Sequence, residues 1–211
     1  NCAPLPLPDS LKPTPTRKGI VVRGMDAVAD LSWLPVNYAG SLCVEDFHGD
    51  LRLPSNFQWR GMFSIARCTG LSRLVFRNGD VADPPPFQAP LQLRIEDCPD
   101  LVDLDITLPS ESIQIHRCSH LRSIRYRALH TLIEDCPSLK QLDGGFGNLT
   151  IRRCDDLQRV TKNSHGRIRV EDCPKLEDLK ILLPNGKHAC GAIDMQRCPN
   201  LRSITPLCES P

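Results

Sequence analysis

The stretch Ile168-Arg169-Val170-Glu171-Asp172-Cys173-Pro174-Lys175-Leu176-Glu177-Asp178-Leu179 decides the fold. Its first residues alternate apolar and polar, the pattern of a strand with one buried face. A cysteine and a proline then break the alternation, and leucines follow at intervals of three. With Φ for an apolar residue, the run reads Φ-x-Φ-x-x-Cys-x-x-Leu-x-x-Φ.

The same frame returns at Cys98, Cys118, Cys136, Cys154 and Cys198. The pairs Leu93/Ile95, Ile113/Ile115, Leu149/Ile151 and Ile193/Met195 precede them, with Thr131/Ile133 the weakest. Leu101, Leu121, Leu139, Leu157 and Leu201 follow three residues later, and Leu104, Ile124, Leu142, Val160 and Ile204 three beyond that. Phe63, Ile65, Cys68, Leu71 and Leu74 fit as well, and Phe47 and Met25 fill the cysteine slot in two further coils. Nine coils therefore run from about residue 20 to 205, with slots 22, 21, 30, 20, 18, 18, 19 and 25 residues apart. An 18-residue coil has no room for a two-turn helix beside two strands, so the back of such a stack is expected to be extended segments and tight turns. Leu34-Pro35, Leu53-Pro54, Leu108-Pro109 and Leu183-Pro184 are expected to close coils, because proline ends strand pairing.

The Φ-x-Φ-x-x-Cys-Pro-x-Leu-x-x-Leu run resembles leucine-rich repeats, especially the irregular cysteine-type repeats of plant intracellular immune receptors. It is similar, less closely, to the Leu-Pro-ended repeats of bacterial effectors delivered into host cells. The resemblance covers residues 20 to 205, but two residues separate cysteine from leucine where the commonest consensus has one. It implies a β-rich solenoid: a right-handed, leucine-rich-repeat-like stack of about nine coils of 18–22 residues with one parallel sheet. A parallel β-helix is the alternative. Residues 1–18, with Pro4, Pro6, Pro8, Pro13 and Pro15, read as a tail or linker before a solenoid over 19–211. Loop insertions are expected near 77–90 and 184–191. The start at Asn1 rather than Met reads as a processed product or a piece of something longer.

Composition narrows the partners. With 26 basic and 25 acidic residues, nothing favours a nucleic acid or a membrane, and no apolar run approaches a bilayer span. Seven of eleven cysteines sit in the repeat slot, where Met25 and Phe47 can replace them. That points to buried free thiols, and hence to a reducing cytosol, including a host cytosol reached by bacterial delivery. Zinc ligation needs closely spaced cysteine pairs, which are missing; His188, Cys190, Cys198 and Cys208 are the one cluster that could act as a cap site. No cofactor is expected.

Just before each slot, Glu-Asp alternates with a basic residue. Asp46, Arg67, Asp97, Arg117, Asp135, Arg153, Asp172 and Arg197 occupy successive coils. In-register parallel strands would set like charges about 4.8 Å apart, and alternation converts repulsion into attraction. Every Glu-Asp pair is thus separated from the next by a basic coil, unlike the paired acids of a β-helical carbohydrate-active enzyme. His116, between Glu96-Asp97 and Glu134-Asp135, is the most enzyme-like position. No catalytic residues are assigned and the chain is read as a non-enzyme.

The expected function is protein–protein recognition by a monomeric solenoid, with a partner of unknown identity. The expected contact residues are Arg94, Gln114, His116, Thr150, Arg152, Arg169, Asp194 and Gln196 on the exposed strand face. The resemblance implies three settings: a bacterial effector, the substrate-recognition arm of an effector ubiquitin ligase, or the repeat domain of a plant immune receptor.

Overall fold

The computed structural model describes residues 19–24, 29–30, 40–49, 51–52, 61–76, 91–163, 166–183 and 191–208. The tail over 1–18, Met25, Leu34-Pro35, Leu53-Pro54, the 77–90 insertion, His188 and Cys190 lie outside them.

The described chain is a parallel β-solenoid without helix. Strands are numbered in chain order. The front wall contains β1 (Ile20–Arg23), β3 (Leu42–Glu45), β5 (Met62–Ala66) and β7 (Leu91–Glu96). It continues through the C-terminal halves of β8 (Asp103–His116) and β9 (Ser123–Glu134) to β11 (Asn148–Arg152), β13 (Ile168–Glu171) and β15 (Ile193–Gln196). The back wall contains β6 (Arg73–Phe76), the N-terminal halves of β8 and β9, β10 (Gln141–Gly144), β12 (Arg159–Asn163), β14 (Asp178–Leu183) and β16 (Ser203–Cys208). A short separate ladder joins β2 (Ala29–Asp30) to β4 (Leu51–Arg52). All these pairings are parallel.

Apart from β2 and β4, the strands join into one parallel sheet that wraps into two walls, because the segment after each turn again alternates apolar and polar residues and pairs with its counterpart. Two expectations are corrected. Nine coils were expected; nine front strands are described, and among the described residues both walls pair continuously over the seven rungs from β5/β6 onward, about six turns. Nor does Pro109 end a strand. β8 runs through it, and the register merely shifts between Ile106 and Ser110. A bulge absorbs the missing donor where a regular ladder could not.

The repeat motif explains each coil. Its two strand apolars point inward and meet their counterparts in register: Leu93 on Ile113, Ile95 on Ile115. The residue before the slot is left-handed in every described rung, from Asp46 (φ 52°) to Arg197 (φ 54°), with Gly24 (φ 60°) in the first. That conformation turns the chain out of the strand, at a cost of about 1–2 kcal/mol for a non-glycine residue. The cysteine then points into the core and its thiol donates to the carbonyl two residues back, 3.4 Å away for Cys98–Glu96 and 3.5 Å for Cys118–His116. The same carbonyl accepts the backbone N–H of the left-handed residue one rung earlier, as Glu96 does from Arg67. A β-turn follows, closed by N–H donation from Leu101, Leu121, Leu139, Leu157, Leu176 and Leu201 to the slot carbonyl. Pro99, Pro137, Pro174 and Pro199 hold its second position, where the fixed φ of proline is pre-set.

A further repeat position carries the corner from back wall to front. Gly40, Gly61, Gly147, Gly166 and Gly191 each stand seven residues before a slot residue. A Cβ on Gly147 would lie 1.9 Å from the Leu129 carbonyl oxygen, and one on Gly166 2.3 Å from Gly147. The coils pack backbone to backbone here, with no room for a side chain. Lys162 occupies an inward position that is Ile106, Tyr126 or Ile181 in other rungs, and it is buried. Its ammonium donates to the Gly147 carbonyl at this corner.

Among the described residues eight cysteines are free, and six of the seven slot thiols are fully buried. Contact with the next thiol in the stack, together with burial, pushes Cys98 and Cys118 up to about 12. Because burial shields six of the seven slot thiols, a thiol titration should find those six unreactive at neutral pH in the folded chain and reactive after unfolding without reductant. Three or more disulfides by non-reducing mass spectrometry would contradict the stack. The corner makes a second expectation. Gly147→Ala should destabilise by about 1–3 kcal/mol through backbone displacement. Leu139→Ala, which opens a void in a fully buried site, should cost about 2–5 kcal/mol. Denaturant melts distinguish both from an unchanged midpoint.

Candidate functional site

The front wall and its left-handed edge carry three parallel rows of outward residues, set by strand register. The first row runs Val21, Cys43, Ser64, Arg94, Gln114, Leu132, Thr150, Arg169, Asp194. The second runs Arg23, Glu45, Ala66, Glu96, His116, Glu134, Arg152, Glu171, Gln196. The third is the left-handed edge itself, Gly24 then Asp46 to Arg197 in alternating sign.

The edge charges form forks, not an evenly bonded ladder. Arg67, Arg117, Arg153 and Arg197 each reach back to the aspartate of the preceding rung with two nitrogens. Arg117 Nε lies 2.6 Å from Asp97 Oδ1, and its Nη2 lies 2.8 Å from Oδ2. Arg67, Arg117 and Arg153 also contact Glu45, Glu96 and Glu134 of that same rung. Among the described residues no ion pair joins Arg117 forward to Asp135. A shallow recess opens there instead, lined by Arg117, Ser119, Asp135, Pro137, Arg153 and Asp155. The unit of the stack is thus a Glu-Asp rung followed by an arginine rung.

Planar guanidinium suits this job because its fork matches a carboxylate oxygen for nitrogen. The electrostatic consequence is visible on the acids. Hydrogen bonds from Arg117 hold the Asp97 carboxyl below its ordinary range, and Arg67, Arg153 and Arg197 do the same for Asp46, Asp135 and Asp172.

Most of the sequence-derived contact residues are committed to this network. Arg94 bonds Glu96 on its own strand. His116 Nδ1 lies 3.3 Å from Glu134 Oε2 and is mostly covered. Arg152 Nε sits 3.0 Å from Glu171 Oε2 as a charge contact without an aligned hydrogen bond. Arg169 contacts Glu171 and lies 3.6 Å from Asp194, to which Gln196 Nε2 donates at 3.3 Å. Gln114 and Thr150, in contrast, make no side-chain hydrogen bond among the described residues, and Gln114 is exposed. The acids near His116 pair with Arg117, Arg152 and Arg153.

Two features escaped the sequence reading. One is a polar groove on the back wall, lined by Arg73, Asp103, Asp105, Ser123, Arg125, Gln141 and Asp143, with Ser123 Oγ donating to Asp103 at 2.6 Å. The other is Phe146, exposed at a corner with the Arg127 guanidinium 4.4 Å over its ring. Both depend on the second wall, and once that wall is known the alternation in Asp103-Leu104-Asp105-Ile106 signals the groove. Among the described residues no group of His, Cys, Asp or Glu is placed to hold a metal ion. In comparisons with known proteins, the chain matches no family model, no curated protein and no solved structure.

The forks generate a pH and salt expectation. An aspartate with a depressed folded pKa stabilises the fold above its unfolded pKa, and that contribution is lost as pH falls through the folded value. Arg117→Gln should move the Asp97 carboxyl back up toward the ordinary range, as read by carboxyl carbon NMR titration. Arg117→Glu should lower the Tm further than Arg117→Gln, with the gap closing in high salt. Equal Tm values at low salt would show that residues 97, 117 and 135 are not stacked neighbours.

Proposed function

We propose that this chain is a recognition solenoid whose front wall binds another protein. The first outward row carries the reading. It changes residue type on every rung, from Val21 through Ser64, Gln114 and Thr150 to Asp194, over a frame whose inward positions stay apolar. Most of the second and third rows is taken up by internal ion pairs, whereas Gln114 and Thr150 of the first row make no side-chain hydrogen bond among the described residues and are available for contact. Nine front strands at about 4.8 Å give a rigid surface roughly 40 Å long, the extended platform that stacked repeats offer to partners. The resemblance of the motif to leucine-rich repeats supports the same reading, in the setting of target recognition within a larger protein.

The structure changes which residues should be tested. Arg94, His116 and Arg152 support their neighbours, so removing them mixes binding with stability. Gln114 and Thr150 belong to the variable row and are not so engaged. The double change to alanine should leave the Tm within about 2–4 °C of the wild type, as surface substitutions usually do. It should remove specific bands from a pull-down performed with the whole chain. A double variant of unchanged Tm that captures the same proteins in the same amounts places binding elsewhere.

A further inference from the structure

The rule that opposite charges follow one another up the stack extends to the back wall. Arg73 stands beside Asp103, Arg125 between Asp105 and Asp143, and Arg159 beside Asp178. One outward column breaks the rule. At the turn into the back wall, a run of backbone bonds sets the column. Val102 donates its N–H to Ser72, Arg122 to Val102, Lys140 to Arg122, Gln158 to Lys140 and Glu177 to Gln158. Arg122 and Lys140 are therefore in register on adjacent rungs, two cations about 4.8 Å apart at the backbone. Among the described residues, no outward column set by strand register places like charges on neighbouring rungs in this way.

Nothing described around the pair offsets its repulsion. Both side chains are exposed, and among the described residues neither makes a side-chain hydrogen bond or an ion pair. Asp156, which feels the charge of Lys140, is already held by Lys175 Nζ at 2.6 Å. Ser123, beside Arg122, gives its hydroxyl to Asp103. Arg159, in the rung after Lys140, is a third exposed cation with no side-chain partner among the described residues. The six positions Arg122, Ser123, Lys140, Gln141, Gln158 and Arg159 thus hold three cations, two carboxamides, a hydroxyl and no acid. Acids bound this patch along the stack, Asp103 in the rung before it and Glu177 and Asp178 in the rung after. Its length is three rungs, about 10 Å at the strand spacing.

We propose that this patch at the turn into the back wall binds an acidic segment of another polypeptide, two of whose carboxylates settle among Arg122, Lys140 and Arg159. In an extended segment, side chains two residues apart share a face at about 6.8 Å, so two acids in that spacing fit within the patch. Arg122 can take a carboxylate with two nitrogens, and Lys140 meets it as a compact charge. Gln141 and Gln158 offer carboxamides to the backbone of the segment. A nucleic acid fits less well. Its charges recur at every nucleotide, and a backbone running along the stack would meet Asp103 at one end and Glu177 and Asp178 at the other. The like pair destabilises the free chain, and a carboxylate lodged between its two cations turns that repulsion into attraction. The exception to the alternation therefore has a use. The patch faces away from the front-wall row described above and does not depend on it.

The test uses the whole chain at low salt in reducing buffer, with two rhodamine-labelled octapeptides, Ser-Glu repeated four times and Ser-Gln repeated four times. Anisotropy titration should show the glutamate peptide bound more tightly by about tenfold or more. The double variant Arg122→Gln with Lys140→Gln should lose that preference. Lys180→Gln removes a cation from the same wall outside the patch, and it should leave the affinity within about twofold of the wild type. Arg122→Glu makes the like pair an opposite one. It should abolish binding of the glutamate peptide and raise the Tm by roughly 1–3 °C, a gain that closes in high salt. Equal affinity for the two peptides, or binding of neither at their solubility limit, overturns the proposal. So does an equal loss in Lys180→Gln and in the double variant, which reports net charge alone. A lower Tm for Arg122→Glu also overturns it, since Arg122 and Lys140 would then not repel. An eight-nucleotide single-stranded DNA that binds more tightly than the glutamate peptide, with the same dependence on Arg122, assigns the patch to nucleic acid instead.

Discussion

In-register parallel stacking governs everything else in this molecule. When rungs superimpose, each residue's nearest neighbours are its own counterparts about 4.8 Å above and below. A good choice at one position is then repeated along the stack, and so is a bad one. Apolar positions respond by becoming uniform: leucine, isoleucine and valine fill the inward columns, and cysteine fills the slot. Charged positions cannot be uniform, because identical charges in a column would repel at every step. They alternate. The Asp/Arg edge and the apolar core are therefore two answers to one geometric condition.

Cysteine at the slot has a specific reason within this frame. The left-handed residue before it pulls the chain around so sharply that the carbonyl two residues back faces the slot side chain. A thiol can donate to that carbonyl while packing as an apolar group, where serine would bury a more demanding hydroxyl. Phe47 shows the donor is optional, since it fills the slot by volume alone and is as buried as the thiols. The proline after the slot and the leucine beyond it complete the turn. One short motif thus specifies a strand end, a left-handed kink, a buried corner and a β-turn.

The front wall, the slot and the charge alternation were legible because each depends on residue type at fixed spacing. The extended back followed from the 18-residue coils, but its pairing register did not, since Arg159-Val160-Thr161-Lys162 and Gln141-Leu142-Asp143-Gly144 have few apolar residues and no shared signature beyond one inward position. The bulge at Pro109 was misread because a proline is a strand breaker in a regular ladder, and only the register shows that the ladder is irregular there. The glycine corner was in plain view at a constant offset from the slot. Residue type alone does not separate a turn glycine from one that, as here, marks backbone-to-backbone contact across coils. At the surface, sequence identified the exposed columns but not which side chains were already engaged. That depends on arginine reaching backward to Asp97 or Asp135 rather than forward, a preference of geometry and not of composition.

The backward reach also makes the solenoid mechanically uneven. Seams within a pair are stitched at the edge by a two-nitrogen guanidinium fork, while the seams after Arg117 and Arg153 carry the single contacts His116–Glu134 and Arg152–Glu171 one row in, with a recess at the edge after Arg117. Thermal fluctuations that part neighbouring coils should find these less tightly stitched seams first. The cooperative unit of local opening is then a pair of coils, near 40 residues, and amide exchange along the stack should step in twos. A protein that looks like many equal repeats would breathe as four blocks.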